Sequence, residues 1–338
     1  MDQNKTIGHI GENLLISIIE RIITLRTGKG LIRDDSFFYS LDEYKNYNRI
    51  IFNSDMLVST TDIPKQMSFF QIGRKAVIMN LSDLIVKGVR PKGIIISLGL
   101  PKKLSKNNFK DLIEGIVNVA KNWDVNYIGG DINQSKELII NPTVFGFQNH
   151  EDIIYRSGIN QGDYLVSNGK FGLTGVGFHI LLKKKGNIDK YKKYNHAIKS
   201  VLEPNDISKE AYVLAENHIA TASIDSSDGL GKSLLDLMIS NPNKGFEVDF
   251  NPDLITTSAT EYSKEFKINL EELVFNGGEE FIHLFTITPG KLETAKNIIK
   301  SKGGTLIKIG KVISEEAIYL QKKDKRVKLQ CVGYEHFT

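Results

Sequence analysis

Carboxylates recur in this sequence where ligands are usually held, at the borders of apolar segments. Arg33-Asp34-Asp35 precedes the aromatic run Phe37-Phe38-Tyr39, and Asn53-Ser54-Asp55 closes an apolar stretch. Asn80-Leu81-Ser82-Asp83 lies within an apolar helical stretch, and Gly129-Gly130-Asp131 ends another apolar run. Asp225-Ser226-Ser227-Asp228-Gly229 joins a strand-like segment to a helical one, and Asn276-Gly277-Gly278-Glu279-Glu280 precedes a strand near position 285. Each cluster alone has a plain structural explanation, because aspartate caps helices and turns and Gly-Gly marks a tight bend. Asp83 fits that explanation least. It falls on the helix side shared by Ala76, Val77, Asn80 and Leu84, and a charge beside an apolar stripe is costly unless paired or metal-bound.

Taken together, the clusters point to a site. An all-carboxylate set without His-X₃-His or cysteine pairs suits a hard cation such as Mg²⁺ rather than zinc. The seven histidines are dispersed, and Cys331 is the sole cysteine. Because Mg²⁺ shares oxygens with phosphates, such a set implies a phosphorylated ligand. The familiar phosphate devices are missing. There is no G-x-x-x-x-G-K-[ST] loop, to which Thr27-Gly28-Lys29-Gly30 is only superficially similar, and no H-R-D or D-F-G pair. A G-x-S-x-G elbow for acyl transfer is absent too.

Periodicity indicates which elements carry these residues. Helical spacing predicts helices over 12–25, 70–87, 107–123, 172–183, 208–217, 230–239 and 291–302. Apolar or β-branched runs predict strands over 48–58, 93–100, 125–128, 138–147, 164–167, 222–224, 283–288 and 305–312. Aspartates 55, 131 and 225 are expected at strand ends. The fold class is mixed α/β. A boundary is placed at 150, dividing domain 1–150 from domain 151–338, where Gln148-Asn149-His150-Glu151 interrupts two apolar runs.

The chain of 338 residues, 41% hydrophobic and 25% charged, reads as an ordinary globular protein. The polar start MDQNKT lacks the layout of a signal peptide, and the most apolar stretch, 93–100, is too short to span a bilayer. With its single cysteine, the chain is expected in the cytoplasm, with no membrane partner. Much of the net charge of +4 sits in one segment, with six lysines between Lys183 and Lys193. That segment contains no arginine and no nucleic-acid motif surrounds it, so a solvated loop is expected and nucleic acid is not.

At these same positions the chain resembles the thiamine-monophosphate kinases, within the ATP-binding superfamily of aminoimidazole ribonucleotide synthetase, selenophosphate synthetase and HypE. The likeness runs through Asp34-Asp35, Ser54-Asp55-Met56-Leu57-Val58, the Lys75-to-Asp83 segment, Ile128-Gly129-Gly130-Asp131 and Arg156-Ser157-Gly158. It continues through Asp225-to-Leu230, Gly277-Gly278-Glu279-Glu280 and Gly333-Tyr334-Glu335-His336-Phe337. The resemblance implies two α/β domains of the aminoimidazole ribonucleotide synthetase type, with N-terminal strands forming a barrel across a homodimer. It also implies an ATP- and Mg²⁺-dependent phosphoryl transfer to thiamine monophosphate, with ATP and Mg²⁺ in the cleft between domains. By that resemblance, Asp35, Asn53, Ser54, Asp55, Asp83, Asp131, Asp225 and Asp228 are expected as metal ligands, and Asp83, Asp131 and Asp225 as catalytic carboxylates. Gly130, Arg156 and Ser227 would touch nucleotide, while Glu279 and Tyr334 would hold the thiamine part.

The chain departs from the family pattern at several places. Arg33 replaces the usual Gly, Ile132 follows Gly-Gly-Asp, and Asp62 stands where a substrate-contacting His is expected. Asn53 and Ser54 replace more hydroxyl-rich neighbours, and Gly-Gly-Glu-Asp becomes Gly-Gly-Glu-Glu. Two alternatives stay open at this point: another superfamily enzyme with a different acceptor, or a non-catalytic nucleotide-binding paralogue. Selenophosphate chemistry is disfavoured by the lack of an N-terminal cysteine, and HypE-type chemistry by the lack of a C-terminal cysteine tail.

Overall fold

The computed structural model describes residues 6–31, 36, 40–183, 188–204 and 209–330, so Asp34, Asp35 and Tyr334 lie outside the described residues. The chain divides into two units, one of Met1–Leu84 with Val89–His150 and one of Ile85–Gly88 with Glu151–Thr338.

The first unit holds α1 (Glu12–Thr27), β1 (Arg49–Ser54), β2 (Leu57–Val58), the single turn α2 (Ser59–Asp62) and most of α3 (Phe69–Val86). It continues with β3 (Arg90–Pro101), α4 (Lys106–Asn122), β4 (Asn126–Ser135) and β5 (Ile139–Gln148). The sheet order is β1-β5-β3-β4, with β2 paired to β5. Only the β3–β4 pair is parallel, its crossover being α4. Ser105 caps α4 by accepting the Asn108 N–H at 3.1 Å, and Phe109, Leu112, Ile113 and Ile116 form the helix's buried stripe.

Two sequence expectations need correction here. The single strand expected over 48–58 is broken at Asp55-Met56, because β1 pairs with β5 only as far as Ser54–Thr143. Gly129-Gly130-Asp131 does not end its strand; β4 runs on to Ser135, in register with Pro101 of β3. The glycines instead accommodate a register shift between Ile94 and Ile95.

The second unit contains β6 (Tyr164–Ser167), α5 (Leu173–Phe178) continued by a π-turn at His179–Lys183, α6 (Asn195–Leu202), α7 (Glu210–Glu216), β7 (Ala220–Ser226) and α8 (Leu230–Ile239). There follow β8 (Gly245–Asp249), α9 (Thr257–Phe266), α10 (Leu270–Phe275), β9 (Ile282–Ile287), α11 (Leu292–Ser301), β10 (Ile307–Ile313), β11 (Ile318–Lys322) and β12 (Lys325–Lys328). Its sheet order is β12-β11-β8-β10-β6-β9-β7. Strand alternation sorts the side chains to two faces. Leu165 and Leu284 join a core with Leu230, Tyr262 and Phe275, while their neighbours Val166 and Phe285 join one with Leu214 and Ile299. Helices therefore cover both faces of this sheet.

Candidate active site

In the first unit, α3 brings two polar side chains to the end of β1. Asn80, fully buried, accepts the Asp55 backbone N–H on Oδ1 at 2.8 Å and returns its Nδ2 to the Asp55 carbonyl at 3.0 Å. One amide thus satisfies the whole Asp55 backbone where the strand pairing stops. Asn53 then joins two carboxylates, its Nδ2 donating to Asp55 Oδ2 at 3.3 Å and to Asp83 Oδ2 at 3.1 Å. Two anions held on one amide group form a site that a cation would relieve. Ser54 points to the neighbouring strand, donating to the Pro142 carbonyl at 3.0 Å and accepting from Thr143 Oγ1 at 3.0 Å.

Asp131 lies elsewhere on the sheet. It is exposed on β4, across from Ser97 of β3, at the opposite end of the strand order from β1. Three strand spacings of roughly 4.8 Å separate those edges. Gly130 is required where it stands, because a Cβ there would meet the Ile96 carbonyl oxygen at 1.9 Å. Asp62 uses its carboxylate locally: Oδ2 accepts the Val58 N–H at 2.6 Å, and its carbonyl accepts from the buried Lys75 Nζ at 2.5 Å. The sheet also presents a groove of about 1060 Å³, lined in part by Ile50, Phe52, Ile95, Tyr127, Phe145 and Phe147.

In the second unit, Asp225 lies at the end of β7, as its last residue but one, 3% exposed and opposite His283 of β9. Burial and the nearby Lys87 charge push the His283 imidazole down to about 3, so it is neutral in the folded protein. Lys87 Nζ donates to the Ser223 carbonyl at 2.6 Å. Ser227 and Asp228 form the turn into α8, which is tied down by Ser233 Oγ donating to the Asp225 carbonyl at 2.9 Å. The Gly277–Phe281 loop docks on this turn, through the Glu279 N–H to the Ser227 carbonyl at 2.6 Å and the Phe281 N–H to the Ser226 carbonyl at 3.0 Å. Asp225, Ser227, Asp228 and Glu279 are thereby gathered into one neighbourhood. Arg156 is exposed on a segment laid along β7, where Tyr155 accepts the Ser223 N–H at 2.9 Å and Asn241 Nδ2 holds the Arg156 carbonyl at 2.8 Å.

Among the described residues, no group of three or more His, Cys, Asp or Glu side chains is close enough to hold a metal ion. The donors at Asn53, Asp55 and Asp83 nevertheless suit a hard cation in kind, being carboxylate and amide oxygens. Asn80 and Glu280 were not singled out as site residues from the sequence. An Asn in an apolar helical run, three residues before Asp83, was the available signal for the first.

The AIR synthase related protein N-terminal domain family matches residues 33–148, the stretch carrying β1 to β5 and the carboxylates at 55, 83 and 131. The first unit thus carries an AIR synthase-related N-terminal domain within a mixed α/β chain. A thiamine-monophosphate kinase of Nitrosopumilus maritimus is 34% identical over 295 residues, covering 87% of this chain and 91% of the relative. The chain belongs to the thiamine-monophosphate kinase family. The solved structure of AaThiL complexed with AMPPCP and TMP shares the fold at TM-score 0.70 and 23% identity, covering 95% of this chain and 97% of that one. HypE of E. coli, a hydrogenase maturation protein, shares it at TM-score 0.75 and 16% identity over 94% and 98%. No helix of the described residues is long and apolar enough to cross a membrane.

Proposed function

We propose that this chain transfers the γ-phosphoryl group of ATP directly to the phosphate of thiamine monophosphate, giving thiamine diphosphate and ADP. The observation that carries the reading is the 34% identity to a thiamine-monophosphate kinase across 87% of the chain. The carboxylates at 55, 83, 131, 225 and 228 agree with it, since phosphoryl transfer asks for positioning and charge neutralisation more than for covalent chemistry. Bound Mg²⁺ would offset the charge of the phosphates. Asp55, Asp83 and Asn53 would hold one ion in the first unit, with Ser54 and Asp35 as further ligands; Asp131, on the other edge of the sheet, and Asp225 and Asp228, in the second unit, would serve others. Gly130, Arg156 and Ser227 would contact the nucleotide.

The acceptor needs little activation. A phosphomonoester has its second pKa near 6, so its oxygen is largely anionic at neutral pH without a dedicated base. Glu279 would balance the cationic thiazolium, with Tyr334 against its ring. Asp62 accepts a hydrogen bond from its own turn, so its contribution to the acceptor site would run through the fixed backbone of Ser59–Asp62. We also place a homodimer on the exposed sheet face of the first unit, where Ile50 is 49% and Phe52 60% exposed. The N-terminal strands of two copies would form the barrel there.

A panel of phosphoryl acceptors with ATP and Mg²⁺ tests the assignment. Thiamine monophosphate should release ADP well above the rate seen with thiamine, AMP or no acceptor. ADP release that responds to another acceptor and not to this one would reject it.

A further inference from the structure

Glu280 has no part in the reading above, yet its side chain is fixed by three hydrogen bonds. It is half-buried, and its Oε1 accepts the backbone N–H of Gly172 at 2.9 Å, of Leu173 at 2.8 Å and of Thr174 at 3.3 Å, where the chain enters α5. The residues on both sides of it have positive φ, 61° at Glu279 and 49° at Phe281. Side chains rarely adopt this conformation, and it persists only where the surroundings over-determine the backbone. Two restraints meet at the loop. The N–H groups of Glu279 and Phe281 bind the Ser227 and Ser226 carbonyls on one side, and the Glu280 side chain binds α5 on the other. Glu279 and Glu280 both line a cavity of about 270 Å³, together with Asn168, Lys170, Thr174 and Ser200.

We propose that Glu280 is a positioning residue: its hold on the first amides of α5 fixes the strained turn and so aims Glu279 into this cavity. The inference rests on the proposed role of Glu279 toward the acceptor. Burial pushes the Glu280 carboxyl up to about 8, against the pull of the three N–H groups. Oε1 accepts these bonds in either protonation state, a role that the amide oxygen of glutamine can fill.

The test combines kinetics with amide hydrogen exchange on the full chain. E280A should raise KM for thiamine monophosphate about tenfold while KM for ATP stays within about twofold, because a misaimed contact weakens one substrate alone. E280Q should stay within about threefold of the unsubstituted protein. In an E279Q background, E280A should add less than about twofold, since the two residues act as a unit. Exchange at residues 279–281 should accelerate in E280A and not in E280Q. E280M, equally long but without the acceptor, gives the same readouts should E280A not fold. An unchanged acceptor KM in E280A, an undiminished effect in the E279Q background, or unchanged exchange at 279–281 would each overturn the proposal. If E279Q itself leaves the acceptor KM unaltered, the role of Glu279 fails. The exchange at 279–281 then still decides whether Glu280 holds the turn.

Discussion

Replacing Asn80 by alanine should loosen the first unit's site where β1 ends. Asn80 makes four hydrogen bonds, to the Asp55 N–H at 2.8 Å, to the Asp55 carbonyl at 3.0 Å, to the Ala76 carbonyl at 3.0 Å and, longest at 3.5 Å, from Asn53 Nδ2. The Ala76 carbonyl is an ordinary helix acceptor and loses little. The Asp55 N–H and carbonyl lie where β1 has stopped pairing with β5, so alanine leaves both without that partner. At ~1–3 kcal/mol for each shielded group left unpaired, the cost is about 2–6 kcal/mol, and partial access of water to the half-buried Asp55 favours the lower half of that range. Against a domain stability of about 5–15 kcal/mol this is a large fraction. Urea unfolding without metal or nucleotide measures it, and turnover at low temperature reports whether Asp55 keeps its place. Asn80→Asp, which retains the acceptor for the Asp55 N–H, should lose less stability but still lose turnover, because it sets a third carboxylate beside Asp55 and Asp83. A stability change below about 1 kcal/mol in Asn80→Ala, with turnover intact, would refute the claim that this amide holds the Asp55 backbone.

Asp83→Asn should reduce kcat by about 100-fold or more while changing stability by less than about 1 kcal/mol, because the new amide oxygen can still accept from Asn53. Retention of most activity with an unaltered Mg²⁺ requirement contradicts the placement of Asp83. Gly130→Ala should destabilise by about 2–4 kcal/mol in thermal melts, since its Cβ would sit 1.9 Å from the Ile96 oxygen, and a melt unchanged from the parent argues against that packing. His283 is held neutral with its pKa at about 3, below the unfolded value of ~6.5. The unfolded chain therefore takes up the proton first, and this contribution is complete above pH ~6.5 and lost as pH falls toward 3. Metal-free unfolding of His283→Gln should show a shallower acid slope, by up to about 1.4 kcal/mol per pH unit, and equal slopes would reject the buried neutral imidazole.

Much of this arrangement was legible before the structure. Asp83 is marked out by the cost of a charge near an apolar stripe, and in the structure it accepts from the Asn53 amide that also donates to Asp55. Elements with clean periodicity, such as β6 at Tyr164–Ser167 and α8 at Leu230–Ile239, emerge with the expected bounds. The misses share a physical cause, which is dependence on distant partners. Gly129-Gly130 suggests a turn until β3 supplies a parallel neighbour that carries the strand onward to Ser135. Glu280 looks like one half of an acidic pair, and its real partners are amides more than a hundred residues earlier in the chain. The elements α9, α10, β8, β11 and β12 have weak patterns of their own and gain their definition from the sheet and core they complete. Asp35 and Tyr334, expected from family resemblance, fall outside the described residues.

The central claim is direct transfer between two bound substrates. A single-turnover experiment with γ-labelled ATP, Mg²⁺ and thiamine monophosphate tests it. The label should appear in the terminal phosphate of thiamine diphosphate, matched one to one by ADP, with no labelled protein at any time and no transfer when Mg²⁺ is chelated. Label that accumulates on the protein, or ADP released at the same rate without thiamine monophosphate, would contradict it.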